Sequence, residues 1–126
     1  MDFWWFMAMV NALLPAILIG FGKYFMRHAP RDINPFFGYR TARSMQNMDT
    51  WNFAHHYCGK VWFLGGLAAL PLSLLILLCV RGQSEDAIAA VGLCVTAAQI
   101  IFLFVSVALT EAGLKKAFDA QGRRRA

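Results

Sequence analysis

Charge is scarce in this sequence. Only 15% of its 126 residues are Asp, Glu, Lys or Arg, against about a quarter in soluble domains, while 59% belong to the apolar set. That shortage argues against an ordinary soluble domain and points to the bilayer as the solvent. Cysteine is scarce too. Cys58, Cys79 and Cys94 are odd in number, widely spaced and form no Cys-x-x-Cys pair, so neither a disulfide framework nor a metal site follows from them. No basic residue precedes Lys23. The first apolar segment therefore fits a secretory signal poorly, since that needs a positive start, a short apolar stretch and a small-residue cleavage site. No Ser, His and acid constellation stands out, and there is no Gly-rich phosphate loop. The balance leans away from an enzyme, and no catalytic residue or cofactor is expected.

What the sequence does have is three long apolar segments. The first covers residues 3–25, with Trp4 and Trp5 suited to one membrane interface and Tyr24 to the other. Pro15 removes a backbone donor inside it, so the carbonyl of Asn11 loses its usual partner and a kink is expected there. The second covers 61–80 and contains Pro71, with Gly65 and Gly66 as a flat patch for close helix approach. A short connection around Gly82 leads to the third, 87–109. Its Gln99, Ser106 and Thr110 stand at offsets of seven and four and share one helix face. That face should point inward, and a hydrogen bond from Gln99 to Asn11 is expected. The fold class is thus all-α integral membrane: one domain of three transmembrane helices, a structured cytoplasmic loop over 27–60, and an amphipathic basic C-terminal helix in the tail, 111–126.

Orientation follows from the basic residues. Arg27, Arg31, Arg40 and Arg43 of the loop share one side with Lys115, Lys116, Arg123, Arg124 and Arg125 of the tail, whereas Arg81 stands alone on the other. Positive residues favour the cytoplasm. The expectation is a multi-pass protein of the cell membrane with its N-terminus outside and its C-terminus cytoplasmic. The net charge of +5 then faces anionic lipid head groups rather than nucleic acid. In the tail, Glu111 and Lys115 form a favourable i,i+4 pair, Leu114 and Phe118 form an apolar stripe, and Gly122 is expected to end the helix.

The loop is the informative part. Asn34-Pro35 marks a turn and Gly38 opens backbone angles closed to other residues. Ser44 or Asn47 offers a helix cap. From about Asp49 the pattern is helical and continues into the second span, with Trp51, His55, Cys58 and Trp62 on one stripe. Arg40, Arg43, Thr41, Ser44 and Asn47 gather donors just before a helix start, an arrangement suited to an anion such as a lipid phosphate or a peptide carboxylate. Equally, Arg40 braces the loop through backbone carbonyls or pairs with Asp32, Asp49 or Glu111. Glu111, on the loop's side of the membrane, is a candidate partner for Arg40 or Lys60. His55 and His56 point about 100° apart on a helix and His28 is remote, so no metal site is expected. His55 reads as a packed interfacial histidine.

The order Asn34-Pro-x-x-Gly38-Tyr-Arg40-Thr41, then Ser44, Asn47, Trp51, Ala54 and Gly59-Lys60, resembles the signature of the Sdp immunity-protein (SdpI) family of bacterial membrane proteins. The ending Glu111-x-x-Leu114-Lys115-Lys116-x-Phe118-Asp119-x-x-Gly122-x-Arg124 resembles how such proteins finish. The resemblance implies a membrane protein that protects its cell from a secreted killing peptide, or that draws a cytoplasmic regulator to the membrane. The binding residues it brings forward are Asn34, Gly38, Arg40, Thr41, Ser44, Asn47, Trp51, His55 and Glu111. Expected partners are anionic lipids, a peptide toxin or regulator, and a second copy of the chain. Two other readings stand beside it. One is a small membrane enzyme or transporter acting on an anionic lipid or amphiphile. The other is a structural subunit whose Gly65, Gly66 and Gly92 mark contacts between copies.

Overall fold

The computed structural model describes residues 2–125 and contains three helices: α1 (Phe3–Arg27), α2 (Met48–Leu78) and α3 (Glu85–Ala117). Each start follows from local residues. Asp2 Oδ1 accepts from the Trp4 amide at 3.0 Å. Asn47 and Thr50 form a reciprocal capping box. Ser84 caps α3, with Glu85 and Asp86 in its first turn and Lys115 and Lys116 in its last, as the helix dipole favours.

At 1.5 Å per residue, α1 reaches roughly 38 Å, α2 roughly 46 Å and α3 roughly 50 Å, against a hydrocarbon core about 30 Å thick. The surplus stands at one end of the bundle. There the first turns of α2 and the last turns of α3 project beyond the apolar segments, and the 28–47 loop folds against them.

The bundle buries polar side chains among apolar ones and is apolar outside. Asn11, Ser106 and Thr110 are fully buried, while Leu13, Ile101 and Phe104 are 62%, 62% and 73% exposed. Such an inversion is stable where the surroundings are hydrocarbon. Pro15 leaves the Asn11 carbonyl without an intrahelical donor. Gln99 Nε2 supplies one at 2.9 Å and also reaches Ser73 Oγ at 3.0 Å, joining all three helices. Thr96 Oγ1 stands 3.0 Å from Asn11 Oδ1. Gln99, Ser106 and Thr110 are all buried on the inward face of α3. At the end away from the loop, Trp4 Nε1 donates to the Leu77 carbonyl at 2.7 Å, and the Arg81 guanidinium lies over the Trp4 ring.

Helices α1 and α2 approach backbone to backbone. A Cβ on Gly22 would lie 2.7 Å from the Gly59 carbonyl oxygen, and one on Gly66 would lie 2.9 Å from the Pro15 carbonyl oxygen. Gly65 faces Phe102 and Gly92 faces Met7. The glycines expected to mark contacts between copies therefore serve packing within one chain.

The tail continues α3 as expected as far as Ala117 and differs from expectation beyond it. The helix stops at Ala117, five residues before Gly122, because Phe118 turns to extended backbone and buries its ring, at 2% exposure. Asp119 Oδ1 then accepts from the Gln121 and Arg123 amides at 3.0 and 2.9 Å. Gly122, at φ +79°, reverses the chain so that the Arg125 amide reaches the Ala117 carbonyl at 2.8 Å. Among the described residues there is no separate C-terminal helix; the basic tail is the end of α3 and a turn folded back on the loop.

Candidate functional site

The loop is tied down along its length. Asn34 Oδ1 accepts from the Phe36 and Phe37 amides at 3.0 and 2.6 Å, an Asx turn around Pro35. Gly38 follows at φ +105°, and a Cβ there would lie 2.5 Å from His55 Nε2. Glycine is required twice over, for the backbone angle and for the imidazole's approach. The gap it leaves lets the Tyr39 amide donate to His55 Nε2 at 2.8 Å, while His55 Nδ1 lies 2.8 Å from the Trp51 carbonyl. Since Nε2 accepts, Nδ1 carries the proton, and the ring is the neutral tautomer. Burial lowers its pKa below the ordinary 6.5, which keeps it neutral. The Trp51 ring packs against His55, tilted by 53° with centroids 4.3 Å apart, and its Nε1 donates to the Pro30 carbonyl at 2.9 Å.

Tyr39 carries the link to α3. Its hydroxyl donates to Glu111 Oε1 at 2.8 Å, and Arg43 Nε stands 3.8 Å from Glu111 Oε2. Burial first, then the bond to Glu111, raises the Tyr39 pKa, so the hydroxyl stays protonated as a donor. Arg40 is exposed and donates from Nη1 to the Pro35 carbonyl, which is the bracing alternative. Glu111 is thus partnered by Tyr39 and Arg43 rather than by Arg40 or Lys60. Tyr39 turns inward after Gly38 and its neighbour Arg40 faces out. Spacing carried no signal of this contact, since Tyr39 and Glu111 lie 72 positions apart.

Thr41 and Ser44 close a small turn. The Thr41 amide donates to Ser44 Oγ at 2.9 Å and the Ser44 amide to Thr41 Oγ1 at 3.2 Å. Thr50 Oγ1 reaches the Ser44 carbonyl at 3.0 Å. Asn47, not Ser44, is the cap of α2, and its Nδ2 also donates to the Gly122 carbonyl at 2.7 Å. Gln46 Nε2 reaches the Ala120 carbonyl at 2.7 Å, a contact that sequence reasoning missed. The Ser44 hydroxyl and the Asn47 side-chain amide that could cradle an anion thus donate to protein carbonyls, and the Thr41 hydroxyl accepts from the Ser44 amide, leaving Arg40 and Arg43 at the surface. Gly38, Tyr39, Ser44, Thr50, Trp51 and His55 form one connected unit, while Asn34 and Arg40 stand at its exposed edge. His56 is separate, with Nδ1 2.9 Å from the Met26 carbonyl. Among the described residues no three His, Cys, Asp or Glu side chains group as metal ligands. A groove of about 620 Å³ lies away from this unit between α2 and α3, and Ser73 and Gln99 are the polar side chains in its apolar wall.

Three apolar helices with a collar built from one loop and one tail define a multi-pass membrane protein. A profile of the SdpI/YfhL protein family matches residues 31–110, and the chain belongs to that family. It is similar to a protein of Bacillus subtilis (strain 168) described as "Uncharacterized protein YfhL", with 40% identity over 47 residues. The aligned stretch is 37% of this chain and 43% of that relative, less than half of either. No solved structure matches.

Proposed function

We propose that the protein acts in the cell membrane as an immunity or signalling protein, with the loop–tail collar as its binding surface on the cytoplasmic side. The observation that carries this reading is the closure of the signature residues. Gly38, Ser44, Trp51 and His55 are held by the protein's own backbone and by one another. A rigid, closed unit suits recognition of a partner, whereas an enzyme or transporter acting on a lipid head group calls for an open polar pocket at that cluster. Arg40, Arg123, Arg124 and Arg125 face outward around the unit, a surface complementary to an acidic cytoplasmic regulator. The excess of basic residues on the collar side supports an outside N-terminus and a cytoplasmic C-terminus.

Expression in a cell sensitive to a secreted killing peptide tests the protective role. Survival is expected to rise with the intact chain and to fall back with Gly38→Val at equal membrane abundance. No gain in survival from the intact chain would overturn the immunity reading. A C-terminal reporter that works only outside the cytoplasm, if active, would overturn the orientation.

A further inference from the structure

On the lipid-facing side of α1, beside the loop, lies a slot of about 340 Å³ lined by Ile17, Gly20, Phe21, Tyr24 and Phe37. Four of these residues come from α1 and one from the loop. The Phe37 ring leans on Phe21 and Phe25, with centroids 6.1 and 5.8 Å away. Its neighbour Phe36 is 88% exposed. An aromatic loop tip held against the end of a spanning helix belongs at the boundary between hydrocarbon and head groups.

Gly20 is the unusual residue of the slot. A glycine inside a helix costs about 1 kcal/mol relative to alanine. Every other helical glycine here meets a neighbouring backbone or side chain that a Cβ would crowd, but a Cβ on Gly20 would have nothing within 4 Å. Its missing side chain serves no contact within the chain and instead deepens the slot.

The rim of the slot is cationic. Lys23, Tyr24 and Arg27 share a helix face with Gly20, one to two turns further on. Arg31 and Arg40 lie in the same loop as Phe37. All four basic residues are exposed, and none is in an ion pair among the described residues. Asp32 is the only acid between residues 23 and 40. Arg40 donates once to the Pro35 carbonyl and has further N–H groups to offer.

An apolar slot beneath a cationic rim matches the two parts of an anionic phospholipid. We propose that this slot is a binding site for one such lipid, with an acyl chain over Gly20 between Phe21 and Phe37, and the phosphate held by Lys23 and Arg27. The lipid would brace the loop tip against α1.

Native mass spectrometry of the detergent-purified protein, offered equal phosphatidylglycerol and phosphatidylcholine of the same chain length, tests this. The wild type is expected to retain phosphatidylglycerol in preference. Gly20→Leu puts a side chain into the slot from a position where a Cβ meets nothing within 4 Å and is expected to lose the retained lipid, while Gly20→Ala keeps it. Lys23→Gln/Arg27→Gln is expected to cut phosphatidylglycerol retention at least tenfold. Two basic residues near an anionic head group, at about 1 kcal/mol each, amount to roughly 30-fold. The thermal transition of each variant serves to show that it is folded. Equal retention of both lipids by the wild type, or full retention by folded Gly20→Leu, overturns the proposal. So does competition by soluble glycerol phosphate, which would indicate an anion site without an acyl slot.

Discussion

Replacing Gln99 with leucine should destabilise the bundle through a proline 84 positions away in the chain (99 minus 15). Pro15 has no N–H, so the Asn11 carbonyl depends on Gln99 Nε2 at 2.9 Å. Leucine is close to glutamine in size and removes this donor, along with the 3.0 Å bond to Ser73. A buried carbonyl left unpaired costs about 1–3 kcal/mol, whereas interhelical hydrogen bonds in membranes average about 0.6 and reach about 1.7 kcal/mol. The first figure applies to a carbonyl with no alternative partner, and Asn11 is such a case, so a loss of about 1–2 kcal/mol is expected for Gln99→Leu. The cause is separable by a second change. Pro15→Ala returns an intrahelical donor to the Asn11 carbonyl, so Gln99→Leu should cost less in that background, with a coupling of about 1 kcal/mol. Reversible unfolding in mixed micelles, measured for the wild type, both single variants and the double variant, gives the coupling directly. Additive effects within about 0.3 kcal/mol would refute the assignment of Gln99 as the replacement donor.

Gly38→Ala forces a strained backbone angle and a contact with His55, and should cost about 1–3 kcal/mol; faster proteolysis within the loop would report it. Tyr39→Phe removes the hydroxyl between the loop and Glu111 and should cost about 1 kcal/mol for this part-buried bond, read as increased amide exchange across residues 38–44. Asn47→Ala removes both the α2 cap and the tie to the tail, for about 1–2 kcal/mol, with increased exchange at residues 118–125. His55 has a pKa lowered below 6.5, so the unfolded chain binds its proton more readily. That stability is present in full above pH 6.5 and is lost as pH falls from there through the folded-state pKa. The groups facing the ring are the Tyr39 amide, the Trp51 carbonyl and the Trp51 and Phe25 rings, none of which stabilises an imidazolium as a carboxylate would. His55→Gln should remove most of the wild type's loss of stability between pH 7.5 and 5.5, and an unchanged pH dependence would contradict the neutral tautomer.

Three crossings, the inward face of Gln99, Ser106 and Thr110, and the helical run from the loop into the second span were legible in the sequence. Each is a matter of local composition and period, which hydrocarbon enforces on any chain. The glycine at position 38 could be read as a turn, but not as the gap that admits His55, because that contact joins residues on different elements. The same limit applied to Glu111. The sequence set it on the loop's side of the membrane, but only the packed bundle decided between Arg40 and Tyr39, since which of several nearby donors wins depends on the direction the chain takes after Gly38. The tail shows the point again. Its basic, helix-forming composition suggested a helix running to Gly122, yet the burial of Phe118 against the loop's side of the bundle stops it at Ala117. Local pattern determined that this protein lives in a membrane and how often it crosses. Tertiary contacts decided which polar groups satisfy one another at its edge, because those pairings depend on geometry that no spacing along the chain records.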